Sequence, residues 1–148
     1  MIRYFPPAEV FLAKFPGLDL TNPSHAEQAG PLDETVRFMV ERLIRGVGIN
    51  QNLYFETYPD IEDAVSNGQL PSGTFHFARY GYFERREALP NSFDNSWYLA
   101  TYPDVGVALA DGDYPDAAAH YLETGLREWR SPCDGCADDV VQWHQVLK

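Results

Sequence analysis

The chain is short of basic residues, of cysteine and of long apolar runs, and each shortage excludes something. Eleven Lys and Arg stand against 22 Asp and Glu, a formal net charge of −11. A field of that sign repels phosphate backbones and anionic lipid surfaces, so neither nucleic acid nor a membrane is expected as partner. The two cysteines, Cys133 and Cys136, are too few for a disulfide framework. No stretch approaches the roughly 20 apolar residues of a spanning helix. The apolar clusters of MIRYFPPAEVFLAKFPG are broken by Pro6, Pro7 and Pro16, unlike a secretory leader, and a cytoplasmic location is expected. Sustained period-two alternation is missing, and strands with it. There is no Walker A loop, G-x-S-x-G, dinucleotide fingerprint or HExxH, so nothing argues for an enzyme.

What the chain does have is aromatic mass: nine Tyr, nine Phe and three Trp in 148 residues. That length suits one domain with a core of its own. Large rings anchor short helices that have little aliphatic surface, and some are expected at a partner surface.

The chain also repeats itself. ETYPDIEDAVSNG at 56–68 returns as ATYPDVGVALADG at 100–112, and one offset of 44 residues gives twelve identities over positions 54–86. They pair Tyr54 with Tyr98, Tyr58 with Tyr102, Asp60 with Asp104, His76 with His120, Gly81 with Gly125, Glu84 with Glu128 and Arg86 with Arg130. VFLAKFPGLDL at 10–20 is a weaker echo of WYLATYPDVGV at 97–107, setting Phe15-Pro16 where Tyr102-Pro103 stands. A period of this size indicates stacked supersecondary units, with atypical units at the ends. The expected fold is therefore all-α: one domain of three units of about 44 residues (1–49, degraded; 50–90; 94–132) and a C-terminal segment, 133–148.

Each good unit predicts three short helices. In the second, Asp94 or Asn95 caps a helix that must stop near Tyr102, because the residue before a proline avoids helical geometry. Pro103 opens the next helix, Asp104 answers its dipole and Gly112 ends it. Asp116 caps a third helix over Ala117–Thr124, ended by Gly125; DGDYPD at 111–116 is this junction and lacks the twelve-residue calcium pattern. The first good unit places Asn50 or Asn52, Pro59, Asp60, Gly68, Ser72 and Gly81 in the same roles. In the degraded unit Asp33 is expected to cap a long helix over 33–46 with Val36, Met39, Val40 and Leu43 on its apolar face, after a loop at 20–31. The last helix is expected to turn Val140, Trp143 and Leu147 inward.

Tyr98-Leu99-x-x-Tyr102-Pro103-Asp104-Val105, followed by Gly112, His120-Tyr121, Gly125 and Glu128-x-Arg130, resembles a short helical repeat found in tandem in many bacterial proteins, with a consensus close to YLxxYPDVxxAxxxG…HYxxxGxxEGR. The resemblance covers about half of the chain. It implies a fold and a setting, since that repeat accompanies glycosyltransferases and other surface-polysaccharide proteins and has no settled activity of its own. The chain departs from it where Arg85 and Trp129 replace the glycine of EGR and Phe77 replaces the tyrosine after His76.

Two constellations are candidates for chemistry. The shared His76/His120, Glu84/Glu128 and Arg86/Arg130 can act as acid, base and anion clamp in a pair of equivalent ligand sites, or as joints that stacked units must repeat. CDGC can supply Cys133 and Cys136 to half of a zinc site, with His144 and one of Asp138, Asp139 or His25 completing it, or hold a disulfide or two ordinary thiols. The favoured function is a non-catalytic protein-binding or scaffolding module in an envelope-glycan or similar pathway, its partner another protein met by Tyr54, Phe83, Trp97, Tyr98 and Trp129.

Overall fold

The computed structural model describes residues 2–17 and 31–148. The loop expected at 20–31, apart from Pro31, and the candidate ligand His25 lie outside the described residues. Among those described the fold is all-α, and no strand forms; Ile49 and Pro90 make only an isolated antiparallel bridge. In chain order the helices are α1 (Ala8–Leu12), α2 (Pro31–Val47), α3 (Gln51–Thr57), α4 (Pro59–Ser66), α5 (Gly73–His76), α6 (Asn95–Thr101), α7 (Pro103–Ala110), α8 (Ala117–His120) and α9 (Ala137–Leu147).

The joints form as their residues dictate. Asn50, Ser72, Asp94 and Asp116 accept from the backbone N–H three residues on, capping α3, α5, α6 and α8. Tyr58 and Tyr102 stand between helices whose first residues are Pro59 and Pro103. Gly68 and Gly112 follow with φ of 74° and 82°, a region where a side chain would be strained.

The third helix of each unit departs from expectation. It is α-helical for four residues only, then widens into a π turn at Phe77–Gly81 and again at Tyr121–Gly125. Tyr82 N–H and Leu126 N–H each donate to the carbonyl five residues back, at 2.8 Å. Such turns often accompany functional or packing constraints.

The long helix differs too. It starts at Pro31, two residues before the expected cap, so that Asp33 and Glu34 fall in its first turn near the positive dipole end. Its buried stripe is Val40, Ile44 and Val47, with Val36 and Leu43 partly covered, whereas Met39 is 64% exposed. Met39 sits off the stripe because α2 packs on the Phe77–Gly81 turn along its 36/40/44/47 side.

Among the described residues three buried clusters form. The largest joins α1, α2 and the first good unit; the second, around Tyr98, Val105 and Tyr121, belongs to the second; Tyr4, Cys133, Cys136 and Val140 form the third. As expected, Val140 and Leu147 are buried and Trp143 packs inward. Each good unit closes on itself, for Asn50 N–H donates to the Leu89 carbonyl at 2.8 Å and Asp94 N–H to the Pro132 carbonyl at 2.9 Å. Near the N-terminus Phe11 and Phe15 lie at a tilt with ring centres 5.1 Å apart, much as the good units set Tyr54 edge-on to Tyr58 and Tyr98 to Tyr102 at 4.9 Å. The phenylalanines carry no hydroxyl and so need no polar partner in the core.

Candidate functional site

The polar residues shared by both units are brought together in each, and their atoms are engaged with one another. Tyr54 Oη and His76 Nδ1 are hydrogen-bonded at 2.9 Å, Tyr98 Oη and His120 Nδ1 at 3.0 Å. Gly81 and Gly125 lie against those hydroxyls, where an added Cβ would overlap the phenol oxygen. The second tyrosine of each unit takes a backbone donor: Glu87 N–H bonds to Tyr58 Oη and Ser131 N–H to Tyr102 Oη, at 2.9 and 2.8 Å. That bond fixes the chain as it leaves the unit.

Arginine completes the joint. Arg86 Nε donates to Glu84 at 2.9 Å, and its guanidinium lies 4.8 Å from the Tyr58 ring centre and 3.6 Å from Asp60. Arg130 repeats the set more tightly, with both terminal nitrogens on Asp104 at 2.9 and 2.7 Å, Nε on Glu128 at 2.7 Å and the Tyr102 ring at 5.0 Å. The hydrogen bonds from Arg130 hold the Asp104 carboxyl below the usual carboxylate range. Burial pushes the Tyr54 and Tyr98 phenols far up, and burial, then the neighbouring Arg86 or Arg130 charge, pushes His76 and His120 down. At neutral pH each pair is a neutral phenol beside a neutral imidazole.

This geometry corrects several expectations. The histidines face a tyrosine hydroxyl of their own unit, not an open ligand site. Tyr54, Tyr98 and Phe83, expected at a partner surface, are 1%, 0% and 2% exposed, because short helices use their largest rings as core anchors. His76 and His120 are likewise buried. Trp97 and Trp129 are partly exposed. Trp129 stacks on His144 with ring centres 4.6 Å apart, which takes that imidazole into a ring contact.

At CDGC the sulfurs of Cys133 and Cys136 are joined in a disulfide. Among the described residues no group of three or more His, Cys, Asp or Glu is gathered as a ligand set, so of the alternatives open for CDGC the disulfide forms and Cys133, Cys136 and His144 do not converge. Sequence reasoning also missed two things. Arg85 and Trp129 have φ of 61° and 59°, the left-handed backbone that the glycine of the resembling repeat would take without strain. Gly135 leaves space for the Arg3 guanidinium, which a Cβ there would meet. The first had a signal, namely the glycine of EGR; the second had none, since Arg3 is more than 130 residues away.

No family model matches the chain, and neither a curated protein nor a solved structure is significantly similar to it.

Proposed function

We propose that the chain is a non-catalytic protein-binding or scaffolding module working in the cytoplasm. One observation carries the reading: the polar side chains common to both units, Tyr, His, Arg, Asp and Glu, are hydrogen-bonded or ion-paired within their own unit. A catalytic acid, base or anion clamp must instead face its substrate. The likeness to repeats of bacterial surface-polysaccharide systems is the ground for assigning the module to an envelope-glycan or related biosynthetic pathway. Trp97 and Trp129 offer partly exposed rings to a protein partner, and tryptophan is enriched where interfaces concentrate their energy.

The test separates joint from surface. A photo-crosslinker at position 97 identifies the partner, and affinity is then measured with purified components. Trp97→Ala is expected to weaken binding roughly tenfold with the thermal midpoint kept. Arg130→Ala is expected to lower the midpoint, at a cost of roughly 1 kcal/mol for a half-exposed ion pair and ring contact. If His120→Ala and Arg130→Ala leave the midpoint untouched yet abolish the cellular phenotype, the residues are functional ligands and the scaffold reading is wrong.

A further inference from the structure

The disulfide has four features that a structural staple does not need. It joins residues only three apart in sequence, and so small a ring restrains little of the unfolded chain. Its two cysteines are unequally placed: Cys136 is 0% exposed, whereas Cys133 is 6% exposed and lines a cleft of about 490 Å³. The same cleft is lined by charges of both signs, Arg3 on one hand and Asp94 and Asp134 on the other, with the Arg3 guanidinium lying against Gly135 inside the motif. The pair also precedes the eleven-residue α9, whose positive dipole end favours a thiolate nearby.

We propose that Cys133–Cys136 is a reversible thiol–disulfide exchange site for small thiols that carry both a carboxylate and an ammonium group. The carboxylate pairs with Arg3, the ammonium with Asp94 or Asp134, and the thiolate meets Cys133. Attack on Cys133 Sγ forms a mixed disulfide and breaks the bond to Cys136, which leaves as a thiolate and takes a proton from water. Cys136 Sγ lies 3.5 Å from the Arg3 carbonyl oxygen, an acceptor ready for the new S–H. A second small thiolate attacks the outer sulfur of the mixed disulfide and releases Cys133. In sum two small thiols are oxidised to their disulfide and the protein disulfide is reduced to two thiols; the reverse reaction restores it.

The experiment treats the whole oxidised protein with L-cysteine, cysteamine and 3-mercaptopropionate, the last two lacking one charge each, and counts free thiols by alkylation and mass. Rates are divided by those of each thiol with a free aromatic disulfide, which removes differences in intrinsic reactivity. The expected result is a normalised rate with cysteine about five times that of either control or more, and loss of the advantage over cysteamine in Arg3→Gln. Treated instead with cystine, which loses one cysteine thiolate as the mixed disulfide forms, Cys136→Ser is expected to trap cysteine on Cys133, and Cys133→Ser to trap at least roughly tenfold less on Cys136, given its burial. Circular dichroism must stay that of the folded chain throughout. Reduction that occurs only with unfolding, equal rates for all three thiols, or equal trapping at either cysteine overturns the proposal. Stoichiometric zinc on the purified, folded, reduced protein, lost in Cys133→Ser, assigns the thiols to a metal and overturns it as well.

Discussion

A single absent methyl group decides how each unit holds its tyrosine–histidine pair in the core. With a Cβ at position 125 the Tyr98 hydroxyl could not stand where it meets His120, so Gly125→Ala is expected to cost about 1–3 kcal/mol through overpacking. Tyr98→Phe leaves His120 short of a partner, yet also clears the oxygen that the new methyl would strike. In a double-mutant cycle followed by urea denaturation the two changes are therefore expected to cost less together than the sum of their separate effects; simple additivity would sink this account of the glycine. The histidines also set a pH dependence. Their folded-state pKa lies below the ordinary value of about 6.5, so the unfolded chain takes up protons first as pH falls. The stability they contribute is complete above about pH 6.5 and is lost progressively below it, toward their lower folded values. Urea midpoints at pH 7.5 and 5.5 should show the decline, and His120→Gln should flatten part of it. Two residues carry strain instead. Arg85 is exposed and left-handed, so Arg85→Gly is expected to raise stability by roughly 0.5 kcal/mol, the relief of φ being partly offset by the freedom that glycine gives the unfolded chain. Trp129→Gly relieves the same strain but loses the stack on His144 and the packing on two clusters, and it is expected to destabilise. Thermal midpoints of opposite sign would distinguish the two sites.

At the scale of helices, what was legible in the sequence is what is local. Asn50, Ser72, Asp94 and Asp116 cap, Pro59 and Pro103 start, and Gly68 and Gly112 stop, because each of these acts on backbone within three or four residues of itself. The α-to-π transition was not legible. It goes with Tyr54 or Tyr98, 22 residues before the histidine it meets, occupying the space beside a glycine, and no periodicity within the third helix announces that. The apolar side of α2 was half legible for a similar reason. Val36, Val40 and Leu43 belong to any inward stripe, but whether Met39 or Ile44 completes it depends on where the partner element lies. The candidate site was legible as a set and misread in orientation. The matched residues do gather, yet their spacing carries no information on whether a ring faces a neighbour or a solvent-filled groove. The CDGC pair could be found from the sequence; its charged cleft could not, since Arg3 and Asp94 come from remote segments.

Across the whole molecule, the segment before α1 ties the units together. Tyr82 donates its hydroxyl hydrogen to the Pro6 carbonyl at 2.8 Å, Ser92 donates to the Arg3 carbonyl, and Phe5 packs on Phe77 and Tyr82. Arg127 of the second good unit reaches both Glu87 and Glu9, at 3.1 and 3.0 Å. These contacts couple what would otherwise be separable units. Phe5→Ala is expected to cost about 3–5 kcal/mol and to lower one shared transition, seen alike by tryptophan fluorescence and far-UV circular dichroism. Two separated transitions in the native chain would contradict that coupling. The hydrogen bonds from Asn50 to Leu89 and from Asp94 to Pro132 have a different kind of consequence. Because each unit's beginning and end are neighbours in space, a unit can be copied or cut out of a gene while the chain on either side stays almost where it was. Duplication is then a small geometric event, and in this chain its step is the 44 residues that separate the two good units.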